Sequence, residues 1–443
     1  MPTPSPKNDP KTIFGWCMYD WANSAYATTV MVGLLPAYFA ATVVGPEGVQ
    51  IGGRHFAADT LWAIVVGLAT FIAFVFSPVL GSIADFTAAK KRFLLAFAYT
   101  GCLFTLLLFF CGSGDVFLTL ALFLVAQLGF IGANVFYDAF LPHIASEDKL
   151  DLVSGKGYSF GYVGGGLQFA LSLGLVAGHD SLGLSLQQAA RLGIAFAGLW
   201  WAGFTVFTAR ALFEAPAAAL LPATYRRWPR PLAYAAVGFS RTWRTTLKVR
   251  RFRHLVIFLL AFMLYDDGIQ TVINMATIYG TVELKLPTLH LMLTLLLIQA
   301  IASVGAIVFT RLAARLGTRH TVMLTLVLWS AVVMYAYFIR TSAEFFALGA
   351  VVGLVLGGTQ SLSRSFYASV IPAEASAEFY GFYTVFSKFA AMWGPWGFAI
   401  VKQLTGSSRL AIVSLIVLFL GGLSLLFFVD ETQARQAKQA GAF

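Results

Sequence analysis

The sequence is poor in charge, because Asp, Glu, Lys and Arg make up only 11% of its 443 residues. A soluble domain carries about 25% charged residues, so this chain has too few to cover a water-facing surface. Hydrophobic residues account for 58%, and many apolar runs approach or exceed the ~20 residues that cross a bilayer core. The composition argues against soluble domains and predicts a polytopic membrane protein.

Cysteine is also scarce, and its three residues, Cys17, Cys102 and Cys111, all stand in apolar stretches. This placement argues against a disulfide framework or a zinc site. The six histidines lack the spacing of metal ligands, and no Walker motif is present, which argues against direct coupling to ATP. Residues 1–11 lack the pattern of a cleaved signal peptide. We therefore expect a retained first helix, no metal and no cofactor.

Apolar runs between charged or Pro/Gly-rich breaks predict twelve transmembrane helices, numbered helix 1 to helix 12 in chain order. The first run is too long for one straight span, so we expect it to tilt or to break near Pro36. The predicted ranges are 13–43, 60–80, 93–112, 116–141, 157–178, 190–212, 254–280, 288–310, 320–339, 344–371, 379–401 and 409–429.

Lysine and arginine are distributed unevenly between the two sets of loops. Most of the 30 fall on the side that carries the predicted N-terminus, the 214–253 segment and the C-terminal tail. The positive-inside rule then places both termini in the cytoplasm, and we expect the protein in the inner (plasma) membrane of a bacterium. Topology accounts for the net charge of +10, so no nucleic-acid partner is needed.

The segment 214–253 divides the chain into two halves of six helices each. We predict an N-terminal half at 1–213, a basic cytoplasmic linker at 214–253, a C-terminal half at 254–429 and a cytoplasmic tail at 430–443. The linker is basic and partly aromatic, so we expect it to lie against anionic headgroups. The predicted fold class is an all-α polytopic membrane protein with two pseudo-symmetric six-helix halves around a central cavity.

The two halves repeat short motifs at corresponding places. Helix 1 contains Tyr19–Asp20 and helix 7 contains Tyr265–Asp266. Helix 4 ends with Phe136–Pro142 and helix 10 ends with Phe366–Pro372, and each end is followed by a short acidic loop. Weak internal symmetry of this kind is typical of a duplicated transporter fold.

The loop between helices 2 and 3 carries a recognisable pattern. A glycine is followed four residues later by an aspartate and then by a basic cluster, while an alanine pair stands where a second glycine is usual. This pattern resembles the loop signature of the major facilitator superfamily. The resemblance implies a secondary transporter in which helices 1, 4, 7 and 10 line the cavity. The loop residues are Gly81, Asp85, Lys90, Lys91 and Arg92.

A longer motif, Tyr19–Val30 in helix 1, and its shorter counterpart, Tyr265–Val272 in helix 7, support a narrower resemblance. They are similar to the branch of the superfamily that includes the autophagy-related vacuolar amino-acid effluxers and their bacterial relatives. The resemblance implies efflux rather than uptake. It favours amino acids as the substrate, and other small amphipathic metabolites are the second candidates.

Polar side chains inside the predicted helices are the candidate site. Inserting an ionisable group at the bilayer centre costs at least ~2.5–3.5 kcal/mol, so each such residue is expected to have a functional or structural role. Most of these side chains fall on helices 1, 4, 7 and 10. The candidates for substrate binding or proton coupling are Asp20, Asn23, Asn134, Asp266, Asp267, Gln270, Gln360, Arg364 and Lys388.

These residue types suggest separate roles. We expect Arg364 to hold a substrate carboxylate, and one carboxylate among Asp20, Asp266 and Asp267 to take up and release a proton. The alternative is an Asp–Arg or Asp–Lys pair that locks helices or gates the cavity. Asp138 lies nearer the membrane edge, where we expect a gate residue. Asp267 and Gln270 are three residues apart, which predicts one shared helix face.

The predicted function is secondary active transport of a small solute by alternating access, driven by a proton or solute gradient. Two alternatives stay open. A membrane-embedded enzyme or lipid-handling protein would need a catalytic constellation near an interface, and the sequence shows none. A transporter-derived sensor would be expected to carry a sizeable soluble signalling domain. We therefore expect no enzymatic activity and no obligate protein partner; the expected partners are the substrate and the lipid bilayer.

Overall fold

The computed structural model describes residues 6–214, 221–225, 227–249, 252–390 and 393–439, most of them helical. All twelve predicted helices are found, in two halves of six. Their bounds are Pro10–Val44, Ala58–Thr87, Lys90–Phe110, Val116–Ile144, Glu147–Ala177, Leu186–Ala211, Arg253–Val282, Thr288–Leu316, Thr318–Ala336, Ser342–Val370, Ser376–Ala390 with Trp393–Thr405, and Ser408–Phe427.

Eleven of these helices are long and apolar enough to cross a membrane. The remaining one is helix 11, which is described as two shorter segments. Residues 391 and 392 of its predicted range lie outside the described residues. Several helices extend beyond their predicted ends; helix 2, for example, continues to Thr87 rather than residue 80. Hydropathy detects only the apolar middle of a span, whereas the hydrogen-bonded helix continues through the polar interface.

Helix 1 does not break near Pro36. It is continuous to Val44, but wide π-helical turns at Tyr26–Gly33 and Phe39–Val44 flank the short α-helical segment that contains the proline. A proline inside a helix removes one backbone donor and crowds the preceding turn, and wider turns accommodate that strain. The expectation of a break was therefore wrong, although the helix is irregular in this region.

A small hairpin follows helix 1 and was not predicted. Strands β1 (Val49–Ile51) and β2 (Arg54–Phe56) pair antiparallel, with Gln50 opposite His55. The turn between them is made by Gly52 and Gly53, whose φ angles are +57° and +78°. Two successive positive φ angles favour glycine, as in the tight turns of two-residue hairpins.

Two further helices lie outside the twelve. The linker helix, Arg230–Val249, occupies much of the predicted linker, and the C-terminal helix, Glu431–Gln439, occupies much of the predicted tail. Residues 215–220, 226, 250, 251 and 440–443 of those two segments lie outside the described residues. The C-terminal helix reaches the other half, because Lys438 Nζ lies 2.8 Å from Glu147 Oε1.

The first and last described segments lie at the same end of the helix bundle, because Asn8 Nδ2 donates to Ser146 Oγ at 2.8 Å and Lys438 Nζ lies 2.8 Å from the nearby Glu147 Oε1. We call this end the terminus side. Close packing between the halves is found here. A Cβ added to Gly381 of helix 11 would lie 2.6 Å from Pro78 Cα of helix 2, and one added to Gly155 of helix 5 would lie 2.9 Å from Ala306 O of helix 8. Small residues of this kind let backbones approach closely. The two halves are therefore in contact along two seams, helix 2 with helix 11 and helix 5 with helix 8.

Candidate functional site

A cavity of about 460 Å³ lies between the two halves. Its floor, at the end nearer the terminus side, contains Asp20, Asp138, Tyr158 and Arg364. Its walls become apolar in the direction of the opposite end of the bundle, where helices 7, 8, 9, 10 and 12 contribute. These wall residues include Tyr279, Leu291, Val333, Phe345 and Ile412. The cavity is thus polar at one end and mostly apolar at the other.

Most of the predicted site residues meet in this cavity, although they come from four different helices and from helix 11. Asp266 and Asp267 are not among the lining residues. Among the described residues, no cluster of three or more His, Cys, Asp or Glu side chains is placed to hold a metal ion. The lining residues that the sequence predicted are Asp20, Asn23, Asn134, Asp138, Gln270, Gln360, Arg364 and Lys388.

Arg364 of helix 10 is the centre of the floor and is only 2% exposed. Its Nη1 donates to Asp20 Oδ2 of helix 1 at 3.2 Å and to Asp138 Oδ1 of helix 4 at 3.1 Å. Its Nε donates to Ser154 Oγ of helix 5 at 3.0 Å, and its Nη2 donates to Ser154 O at 2.9 Å. One cation from the C-terminal half therefore holds two carboxylates and a serine of the N-terminal half, with four of its five donors used.

Three aromatic rings enclose the guanidinium. Its central carbon lies 4.1 Å from the ring centre of Tyr158, 4.8 Å from that of Trp16 and 5.5 Å from that of Tyr137. The rings are themselves fixed, because Tyr137 Oη donates to Asp20 Oδ2 at 2.6 Å and Trp16 Nε1 donates to Tyr137 O at 2.9 Å. Cation–π contacts of this kind stabilise a desolvated guanidinium.

Sequence reasoning missed these aromatic residues and Ser154. Aromatic side chains are common in membrane helices, so none of them stands out as an ionisable one does. Tyr137 lies within the repeated motif of helix 4, and Trp16 stands three residues before that of helix 1, which was the available signal. Ser154 lies outside the repeated motifs, so the sequence gives no comparable signal for it.

Further polar contacts line the walls above the floor. Asn23 Nδ2 donates to Asn134 Oδ1 at 2.6 Å, which joins helix 1 to helix 4. Tyr162 Oη donates to Gln360 Oε1 at 2.5 Å, and this bond joins the N-terminal half to the C-terminal half. The amides predicted as site residues thus hold helices in position as well as facing the cavity.

Asp266 and Asp267 of helix 7 both turn to helix 11. Asp266 Oδ2 accepts from Ser387 Oγ at 2.6 Å. Asp267 Oδ1 accepts from the backbone N–H of Gly394 at 2.9 Å, near the start of the second segment of helix 11. Gln270 faces the cavity and Asp267 does not, although the two are three residues apart on the same helix. The reason is that helix 11 packs on helix 7 and draws Asp267 to its own backbone.

Lys388 follows Ser387 on helix 11 and lines the cavity. Within the described part of the chain, its ammonium group makes no hydrogen bond and no ion pair within 4.0 Å. Arg364 differs, because four of its five guanidinium donors are already used by protein groups. Lys388 is therefore a cavity-lining cation that interacts electrostatically with Asp266 of helix 7 but makes no direct bond to it.

Three of the five loop residues predicted from the signature, Gly81, Asp85 and Lys90, lie at the seam of helices 2 and 11. Asp85 accepts from the backbone N–H groups of Ala377 at 3.2 Å and Glu378 at 2.8 Å, and its carboxylate lies 3.0 Å from Lys90 Nζ. A carboxylate at the first turn of helix 11 satisfies backbone donors that have no partner inside the helix. Gly81 lies in the same seam, since a Cβ added there would be 2.8 Å from Glu378 Cα.

The other two basic residues of the signature have different surroundings. The Lys91 backbone N–H donates to Glu214 Oε2 at 3.1 Å, and its ammonium lies 5.3 Å from the ring centre of Phe213. Burial raises the pKa of the Glu214 carboxyl. Arg92 is exposed. Lys91 thus ties helix 3 to the beginning of the linker.

Comparison with known proteins adds to this geometry. A family model described as vacuole effluxer Atg22 like matches residues 8–439. The chain belongs to the Atg22-like family. Among its relatives, the uncharacterized MFS-type transporter YxiO of Bacillus subtilis is 34% identical over 429 residues, which cover 96% of each chain. Autophagy-related protein 22-2 of Aspergillus fumigatus is 25% identical over 478 residues, covering 89% of this chain and 77% of the fungal protein.

Solved structures agree on the fold of this Atg22-like protein. The human organic anion transporter MFSD10 superposes with a TM-score of 0.68 at 17% identity, covering 95% of this chain and all of MFSD10. The proton:xylose symporter XylE superposes with a TM-score of 0.69 at 12% identity, covering 98% of each chain. The predicted membership of the major facilitator superfamily and the twelve-helix fold are confirmed, and the protein is an integral membrane transporter of that superfamily.

Proposed function

We propose that this Atg22-like protein is a secondary transporter that moves a small carboxylate-bearing solute, an amino acid in the first place, by alternating access. The observation that carries the proposal is the contact of Arg364 with Asp20 and Asp138 on the cavity floor. It joins the two halves at the point where a bound solute would reach the terminus side.

The charged residues of the cavity floor raise the free energy of separating the two halves when no solute is bound. If the halves move apart on the terminus side, Arg364 leaves with the C-terminal half, while Asp20 and Asp138 stay with the N-terminal half. Removing one partner from a buried ion pair costs about 3–5 kcal/mol, because the remaining charge is left uncompensated. A cargo that supplies both a positive and a negative group would replace the lost partners on both sides.

An α-amino acid has these two groups. Its ammonium group can replace the guanidinium beside Asp20 and Asp138, and its carboxylate can be held by Lys388 and by the released Arg364. The apolar walls of the cavity would then accommodate a side chain without charge. The description of the family as vacuole effluxers supports the direction of efflux.

We propose further that both termini and the linker 214–253 lie in the cytoplasm of a bacterium, with the protein in the inner membrane. In this orientation the seams close the cytoplasmic side, and the described conformation is outward-facing. Asp20 and Asp138 share one cation, so one proton would bring the cluster to neutrality. Proton uptake there is our proposal for the coupling step.

Counterflow in proteoliposomes tests this function. Vesicles loaded with one unlabelled amino acid at a time, or with a non-amino carboxylate, should accumulate the labelled form of a transported solute. Lys388→Gln should leave folding unchanged and weaken the apparent affinity by about tenfold or more, because a charge-assisted hydrogen bond is lost. Lys402→Gln is the matched control, since this lysine of helix 11 is not among the cavity-lining residues.

The possible outcomes are distinct. Exchange of amino acids that is impaired by Lys388→Gln and unaffected by Lys402→Gln supports the proposal. Exchange that survives Lys388→Gln at unchanged affinity contradicts the role of this lysine. If no amino acid and no carboxylate is exchanged by correctly folded protein, the proposed substrate class is wrong.

A further inference from the structure

The linker helix is fixed to the bundle by one face. A Cβ added to Gly238 would lie 2.5 Å from Ile83 Cγ1 of helix 2, and Thr242 Oγ1 donates to Pro78 O at 3.2 Å. Pro78 is also the residue that Gly381 of helix 11 approaches. This part of helix 2 therefore contacts both the linker helix and helix 11, so the linker helix has a definite position relative to the helix bundle.

The opposite face of the linker helix is apolar and exposed. Leu232, Phe239, Trp243 and Leu247 are 59%, 66%, 60% and 49% exposed. Their spacing of seven, four and four residues places them on one side of an α-helix. An exposed row of large apolar side chains indicates a surface that contacts another apolar phase.

Basic side chains lie next to this apolar row. Arg244 and Lys248, both exposed, follow Trp243 and Leu247 by one residue, which is about 100° around the helix. Arg227 and Arg230 are exposed at its beginning. A helix with one apolar face and a neighbouring basic face is typical of segments that lie in the membrane–water interface.

The adjacent surface of helix 2 supports a lipid as the occupant. Phe71, Val75 and Phe76 of helix 2 are 63%, 42% and 53% exposed, as expected for a transmembrane helix that faces acyl chains. The apolar row of the linker helix lies beside this lipid-facing helix, on the side of the protein where lysine and arginine are concentrated.

We propose that the linker helix is an anionic-phospholipid site. Leu232, Phe239, Trp243 and Leu247 insert between acyl chains at the level of the headgroups. Arg244 and Lys248, together with Arg227 and Arg230 at the start of the helix, bind the phosphate groups of anionic lipids. This site is separate from the cavity and does not depend on which solute is transported.

The position of the apolar row is tested by fluorescence quenching. The native residues Cys17, Cys102 and Cys111 are buried, so a fluorophore can be attached selectively to Phe239→Cys. The labelled protein is reconstituted in phosphatidylcholine vesicles containing phosphatidylglycerol, one of the two lipids being brominated on its acyl chains. We expect strong quenching by brominated lipid and little by aqueous iodide. Thr224→Cys, an exposed linker position outside the helix, is the control and should show the reverse.

Lipid selectivity is tested in the same system. Quenching at Phe239→Cys should be stronger with brominated phosphatidylglycerol than with brominated phosphatidylcholine. Adding Arg244→Gln and Lys248→Gln should reduce this preference by about fivefold for each charge removed. The control pair Arg54→Gln and Lys285→Gln, exposed and at the opposite end of the bundle, should leave it unchanged.

Three results would overturn the proposal. Quenching of Phe239→Cys by iodide as strong as that of Thr224→Cys would place the helix in water. Protection from both iodide and brominated lipid would mean that protein covers this face. Equal quenching by the two brominated lipids, unchanged in the Arg244→Gln and Lys248→Gln variant, would remove the anionic selectivity.

Discussion

Arg364 and Asp20 are 344 positions apart in the chain, and their side chains are joined by a 3.2 Å bond between Nη1 and Oδ2. The bond connects helix 10 to helix 1 across the interface of the two halves. Asp138 lies 3.1 Å from the same nitrogen, so the cluster contains two carboxylates and one cation. An interaction of this kind locks one conformation and makes release from it dependent on what can replace the partners.

The first prediction concerns this pair. Arg364→Gln should destabilise the protein by about 3–5 kcal/mol, because two buried carboxylates lose their cation. Adding Asp20→Asn restores the original net charge of the cluster and should recover much of the melting temperature in a thermal unfolding experiment. Counterflow should remain lost, since the groups that exchange with the cargo are gone. Recovery of selective transport in the double variant would mean that the pair serves only as a structural lock.

The second prediction separates Asp267 from Asp20. Asp267→Asn keeps a carbonyl oxygen that can accept from Gly394 N–H, so we expect a folded protein in which a proton gradient still drives solute transport. Asp267→Ala loses that bond and should cost about 1–3 kcal/mol of stability. Asp20→Asn should abolish gradient-driven transport, although exchange of bound solute survives. If Asp267→Asn also abolishes gradient-driven transport and spares exchange, Asp267 carries the proton instead.

The third prediction concerns the seam of helices 2 and 11. Gly381→Ala places a Cβ 2.6 Å from Pro78 Cα. The contacted atoms belong to the backbone of helix 2, which cannot move aside as the end of a flexible side chain can. Overpacking should disfavour the closed terminus side by about 1–3 kcal/mol. A reporter cysteine at Ser361, buried beneath this side, should then react faster with a thiol reagent added there. Gly203→Ala is the control, because nothing lies within 4 Å of its added Cβ; equal reaction rates in both variants would contradict the prediction.

The fourth prediction concerns orientation. A cysteine placed at Thr224, which is exposed in the linker, should react with a membrane-impermeant reagent only after cells are lysed. The physical reason is the concentration of lysine and arginine on that side, which are retained in the cytoplasm during insertion. Labelling on intact cells would reverse the orientation, and the described conformation would then be inward-facing.

The sequence by itself determined the number and order of the membrane helices and the family. Each span must satisfy its own backbone hydrogen bonds in lipid, so an apolar run predicts a helix without reference to its neighbours. The sequence also identified Asp20, Asp138, Arg364 and Lys388 as candidates. An ionisable side chain in an apolar run raises the free energy of membrane insertion whichever way it points in the folded protein.

Only the tertiary structure decided which partner each of these groups has. Arg364 is surrounded by ordinary side chains, such as Ser154 and Tyr158, that become distinctive only when helices 5 and 10 meet. Asp267 and Gln270 share a face by spacing, yet packing against Gly394 separates their roles. Among the described residues, Lys388 makes no hydrogen bond or ion pair within 4.0 Å and interacts with Asp266 only electrostatically. The contacts of such a side chain depend on helices that come from distant parts of the chain.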